Sequence, residues 1–193
     1  MPKRDDAHML AQRERILRSV IECIAQKGVD RTSISDICRR AGMSTGALYV
    51  HFANKDEIIA EALRYGSPLE DAFPARWLDI VALLSSVENQ MGFDILTVVR
   101  SRLHLHAESV HPGTLHDTLR PILQNTMEIF TARLQQLSDR NEIRLRMTAE
   151  QTARSILAFL DGMFWITLAT DQPLDALRPQ LKEGIDCFVE PLS

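Results

Sequence analysis

Along almost the whole of this 193-residue chain, apolar residues recur at three- and four-residue steps, and strand-like alternation is nearly absent. The pattern predicts helices, broken where proline and glycine gather at 66–74 (GSPLEDAFP), 111–113 (HPG) and 171–173 (DQP). The first helix runs from about Met9 to Lys27. Leu10, Leu17, Ile21 and Ile24 form its stripe, and Ile16 and Val20 widen it. Lys27 suits the helix dipole and Gly28 suits a left-handed cap. Ser33, with Asp36 three residues on, gives a capping-box-like start to a second helix, Ile34–Ala41. Gly42-Met43 turns the chain, Ser44 caps a short third helix, and Asn54 opens a fourth that Gly66-Ser67-Pro68 ends. Longer helices follow over about 75–90, 92–110, 114–138 (kinked at Pro121), 148–170 and 174–189.

The third helix is the unusual one. In GMSTGALYVHF, residues 42–52, a second glycine and several small residues make a poor core helix. Leu48 and Phe52, four apart, can pack inward, whereas Thr45 with Tyr49 and Gly46 with Val50 lie on the other side. Two short helices joined by a glycine turn form a helix-turn-helix, whose second helix enters the DNA major groove. Small residues at the helix start allow close approach to a duplex, free N–H groups favour phosphate, and Tyr49 and His51 can donate to backbone oxygens. The plain structural alternative stays open for individual residues. Tyr49 also reads as a boundary tyrosine, His51 as a solvated histidine, and Ser33 and Ser44 as caps.

The stretch RERILRSVIECIAQKGVDRTSISDICRRAGMSTGALYVHFANKDEIIAEAL (13–63) resembles the N-terminal domain of TetR-family transcriptional regulators. The resemblance rests on the glycine ending the first helix, Thr32-Ser33, Asp36-Ile37, Ala41-Gly42, Ser44, Gly46-x-Leu48-Tyr49, Phe52 and Asn54-Lys55. It implies an all-α fold: an N-terminal three-helix helix-turn-helix domain (1–54), and from 55 to 193 a connector helix leading into a C-terminal bundle that binds ligand and dimerises. By the same resemblance Thr45, Gly46 and Val50 lie against base edges and Ser35 reaches a base. Ser33, Ser44, Tyr49, His51 and Lys55 anchor to phosphates. Relatives often carry lysine or arginine where Thr45 stands, so a thymine-methyl contact competes with guanine readout there. Arg39 and Arg40 face either solvent or flanking phosphates, and Lys3-Arg4 form a disordered tail or a minor-groove arm.

Charge changes the picture slightly. The whole chain carries −4, which alone argues against nucleic acid. Residues 1–65 hold 11 Lys/Arg against 9 Asp/Glu, whereas residues 66–193 hold 11 against 17, so a basic module precedes an acidic body. Cys23, Cys38 and Cys187 are odd in number and lack CxxC spacing, which suits reduced thiols in the cytoplasm. No apolar run approaches the roughly 20 residues of a membrane span, and MPKRDDAHML lacks a signal-peptide core.

The resemblance further implies a homodimer formed by the last two helices. Ile156, Leu160, Met163 and Thr167 on one, and Leu177, Leu181, Ile185 and Phe188 on the other, supply stripes for that contact or for the monomer core. It also implies an effector cavity. Trp77, Phe93, Met127, Phe130, Phe164 and Trp165 suit an apolar or aromatic small molecule, or a plain core. His104, Glu108 and His111 fall at i, i+4 and i+7, one helical face with three zinc-type donors. No HExxH or paired cysteine accompanies them. The leading reading is a ligand-responsive repressor that binds a pseudo-palindromic double-stranded DNA operator, with no catalytic residues, cofactor, resident metal or membrane partner. A metal hydrolase on the histidine face and a helical adaptor are the competing classes, and neither explains residues 32–55.

Overall fold

In the computed structural model the described residues are 3–66, 75–85 and 93–192. They form helices α1 (Lys3–Lys27), α2 (Ile34–Ala41), α3 (Thr45–Tyr49), α4 (Lys55–Gly66), α5 (Trp77–Ser85) and α6 (Ile95–Ser109). These are followed by α7 (Thr114–Asp139), β1 (Ile143–Leu145), α8 (Ala149–Ala169), a 3-10 turn (Leu174–Ala176), α9 (Leu177–Asp186) and β2 (Val189–Pro191). The fold is all-α apart from one antiparallel ribbon that pairs Ile143 with Pro191, Arg144 with Glu190 and Leu145 with Val189. Three-residue strands are too short to leave a visible alternation in the sequence. The expected helix end at 90 and break at 92 lie outside the described residues.

Two compact units emerge: residues 1–67 with 96–122, and residues 68–95 with 123–193. In the first, α1 packs against α2 and α4, and α3 packs against α2. Ile16, Val20 and Ile24 of α1, Ile37 of α2, Leu48 of α3 and Ile58 of α4 are fully enclosed. Helix α1 begins at Lys3, not Met9, so the expected tail is helical and Leu10 is exposed. Ile16 to Ile24 carry the burial, and the earlier turns extend a helix that is already nucleated.

In the second unit α9 packs against α5 and α8. Ile156, Leu160 and Thr167 of α8, with Leu177, Leu181 and Ile185 of α9, are buried within the single chain. Those stripes therefore build the monomer core. The sequence could not separate the two roles because helical spacing marks an apolar face without saying what covers it. A different apolar row remains open on α8, where Trp165 is 60% and Ile166 50% exposed and Phe159, Gly162 and Met163 are half-buried. Gly184 lets α9 close on α8, because the Phe159 ring occupies the space a Cβ there would need. Phe159 meets Phe188 edge-on at 6.0 Å. Among the described residues, α8 is the one helix long and apolar enough to span a membrane by length and composition alone. Its buried face against α9 makes it a core helix here.

Ile185→Glu should consequently abolish cooperative unfolding, since a carboxylate buried without a partner costs several kcal/mol. Circular dichroism melting checks this. A variant that folds and sediments as a monomer would return Ile185 to the dimer contact.

Candidate nucleic-acid interface

The head is built by caps. Gly42 sits at φ 63°, and the Met43 N–H donates to the Cys38 carbonyl at 3.0 Å, closing α2 in a left-handed turn. A residue with a Cβ is strained there, which explains the glycine. The Ser44 Oγ then accepts from the Ala47 N–H at 3.2 Å and starts α3. At the other end of α2, Ser33 Oγ accepts from the Asp36 N–H at 3.1 Å while Asp36 accepts from the Ser33 N–H at 3.0 Å. Lys27 Nζ lies 2.6 Å from the same Asp36 carboxylate. The Lys27 and Ser33 hydrogen bonds hold the Asp36 carboxyl far below the usual carboxylate range.

On α3 the division into faces is realised. Leu48 is buried and Phe52, just past the helix, is 2% exposed, whereas Tyr49 is 47% and Val50 69% exposed. Thr45 and Gly46 are exposed beside them, and Ser33 and Ser35 are exposed on the α2 side. One continuous outer surface thus carries small, polar and aromatic groups with no long cation at the α3 start.

The remaining expected contacts have partners inside the chain. Lys55 Nζ donates to the Val29 carbonyl at 3.2 Å, pinning the α1–α2 turn to the start of α4. His51 Nε2 lies 3.1 Å from Gln12 Oε1, and burial together with the Arg13 charge lowers its pKa. Of the two arginines, Arg40 bonds Glu22 at 2.8 Å and Gln26 at 2.5 Å across to α1, while Arg39 stays exposed near Asp36. Asn54 caps α4, its Oδ1 accepting from the Glu57 N–H at 2.8 Å.

Sequence reasoning passed over Arg13. Its guanidinium donates to the His51 carbonyl at 2.9 Å and to Glu61 at 2.9 Å, and lies 4.3 Å from the Phe52 ring centroid. Nothing in the sequence distinguishes it from Arg15 or Arg18 on the same helix.

The His104, Glu108 and His111 face does not form. Helix α6 ends at Ser109, so His111 lies beyond it, and no group of three His, Cys, Asp or Glu among the described residues could hold a metal ion. The His104 ring instead rests on Gly28, 3.4 Å from where a Cβ would stand.

Of the expected effector residues, Trp77, Phe93, Phe130 and Phe164 are buried in the second unit and Met127 is half-buried. Trp165 faces outward with the open α8 row. The Trp77 Nε1 and Thr152 Oγ1 atoms are buried without a hydrogen-bond partner among the described residues.

Such a head is a helix-turn-helix, and its sequence is similar to that of known regulators. Residues 16–62, about a quarter of the chain, match the model for bacterial regulatory proteins of the tetR family. The HTH-type transcriptional regulator YvdT of Bacillus subtilis is 46% identical over 46 residues, 24% of each chain. That match covers about a quarter of the relative's length. The transcriptional repressor BepR of Brucella suis is 24% identical across 83% of this chain and 82% of its own. The fold matches the Bacillus subtilis regulator FadR, solved with stearoyl-CoA, at a TM-score of 0.67, 21% identity and coverage of 89% and 96%. The family and these relatives are transcriptional regulators, not enzymes.

Two measurements test the local chemistry. Gly42→Ala should lower stability by about 1 kcal/mol in urea unfolding, because it forces a Cβ into the left-handed region. Asp36 has a lowered folded pKa, so its contribution is complete above the unfolded value near ~3.9 and fades as pH falls below it. Asp36→Asn should therefore flatten the loss of thermal stability below about pH 4; an unaltered pH profile would exclude the carboxylate.

Proposed function

We propose that the protein is a cytoplasmic, ligand-responsive transcriptional repressor that binds a pseudo-palindromic operator as a homodimer. Residues 1–54 form its DNA-binding domain, and residues 55–193 its connector, effector and dimerisation domain. The observation that carries the reading is the exposed outer face of α3, anchored from behind by Leu48 and Phe52. Thr45, Gly46 and Val50 meet base edges, with Ser35 at a neighbouring base. Ser33, Ser44, Tyr49, His51 and Lys55 meet phosphates. Lys55 has further N–H donors beyond its bond to Val29, and a phosphate takes one of them.

Dimerisation uses the open row of α8, Phe159, Gly162, Trp165 and Ile166, an apolar face that a second copy covers by two-fold symmetry. The two third helices then sit one or more DNA turns apart, at about 34 Å or greater. The effector lies among Trp77, Phe93, Met127, Phe130 and Phe164. It is largely apolar and carries at least one hydrogen-bond acceptor, since Trp77 Nε1 is a buried donor without a partner among the described residues. The stearoyl-CoA of the FadR structure supports an effector with an apolar portion. To weaken DNA binding ~100-fold, the effector must favour the DNA-incompetent state by about 2.7 kcal/mol.

Fluorescence anisotropy on a duplex selected by the wild-type protein from a random library tests the DNA reading. Lys55→Ala should weaken selected and scrambled duplexes alike and flatten the salt slope by about one unit. Thr45→Ala should cost about 1–3 kcal/mol at a single base pair. Unchanged affinity in both folded variants would refute the interface. Ile166→Glu should yield folded monomers with lost operator binding, and a variant that still sediments as a dimer would refute the α8 row.

A further inference from the structure

We infer that Arg13 is the residue that sets the angle at which α3 meets DNA, acting as a positioning group that touches no nucleotide. The inference deepens the DNA-binding proposal and rests on it. Three groups of the head, from the turn after α3 and from α4, converge on one guanidinium. Through NH1 it holds the His51 carbonyl, at the turn that leaves α3. Through NH2 it holds Glu61, in the middle of α4. Its planar face covers Phe52, the buried side chain that fixes the same turn from inside. Neighbouring side chains of α1 extend the grip: Gln12 meets the His51 ring at 3.1 Å, and Glu14 accepts from the Tyr65 hydroxyl at 2.7 Å near the end of α4.

Geometry gives this contact a purpose. A five-residue helix has little grip of its own, and its C-terminal carbonyls need partners. Arg13 holds the His51 carbonyl, just past the end of that helix, and ties it to the helix leading away from the head. A rotation of α4 that carries Glu61 away therefore pulls on the guanidinium bound to His51. The planar fork, two donors and one stacking face suit arginine alone; a lysine ammonium cannot span both acceptors while lying flat on the ring. Arg13 thus fixes α3 for sequence reading and links it to α4.

The test compares wild type with Arg13→Gln, Arg13→Lys and Glu61→Gln. Its probes are the duplex selected by the wild type from a random library and a scrambled duplex of equal length. Lost folding would reduce the active fraction on both duplexes equally, so the selectivity ratio is the informative readout. Affinity for the selected duplex should fall roughly ten- to a hundredfold in Arg13→Gln. The scrambled duplex should change less than about twofold and the salt slope should hold, as expected for a group outside the phosphate count. Arg13→Lys keeps the charge and guards against a misfolded glutamine variant; it should lose selectivity too, and Glu61→Gln should lose part of it. A salt slope reduced by about one unit would make Arg13 a phosphate contact and overturn the inference. Equal losses on both duplexes in variants whose circular dichroism melting matches the wild type, or selectivity retained in Arg13→Lys and Arg13→Gln, would also overturn it. A wild-type protein that selects no duplex at all would sink the DNA-binding proposal and this one with it.

Discussion

Five residues do not hold a helix in water, because the cost of nucleation exceeds what a single turn of hydrogen bonds returns. The head of this protein is organised around that constraint. Helix α3 leaves one side bare, so everything that stabilises it comes from the other side and from its ends. Leu48 and Phe52 bury the inner face, Ser44 satisfies the first N–H groups, and Arg13 takes the His51 carbonyl behind it. Gly42 makes the approach possible by accepting a backbone conformation that other residues resist.

The same economy governs the cations of the head. Arg40, Lys27 and Lys55 bind Glu22, Asp36 and the Val29 carbonyl, fastening α1 to α2 and the α1–α2 turn to the start of α4. Charge count along 1–65 therefore overstates how much positive charge faces outward. The outer surface of α3 is polar and small instead, which suits close backbone approach and contacts from hydroxyl, methyl and aromatic groups. In the proposed DNA-binding role, selectivity depends on how accurately the helix is held, more than on long side chains reaching for bases.

The second unit follows a different logic. Its buried stripes on α8 and α9 consume the residues that look best suited to a subunit contact, and leave a flatter row with Trp165 and Ile166 at its centre. The β1–β2 ribbon ties the chain end back to the turn after α7, and the Leu192 N–H donates to the Glu142 carbonyl at 2.9 Å. Trp77 and Thr152 stand out in this interior as buried polar atoms without partners among the described residues.

Local signals made the head legible before any coordinates. A capping box at Ser33, a left-handed glycine at Gly42 and an N-cap at Ser44 act over three or four residues, so sequence alone determined the order and the starts of α2 and α3. The inward pair Leu48 and Phe52 followed from helical spacing for the same reason. Tertiary structure decided what lies far apart along the chain. It set Arg13 against His51 and Glu61, 38 and 48 residues away. It broke the His104–Glu108–His111 face by ending α6 at Ser109 and laid the His104 ring on Gly28. It also turned Ile185 inward and Trp165 outward. Periodicity marks which side of a helix is apolar, but the identity of the surface that covers it depends on long-range packing that no local window contains.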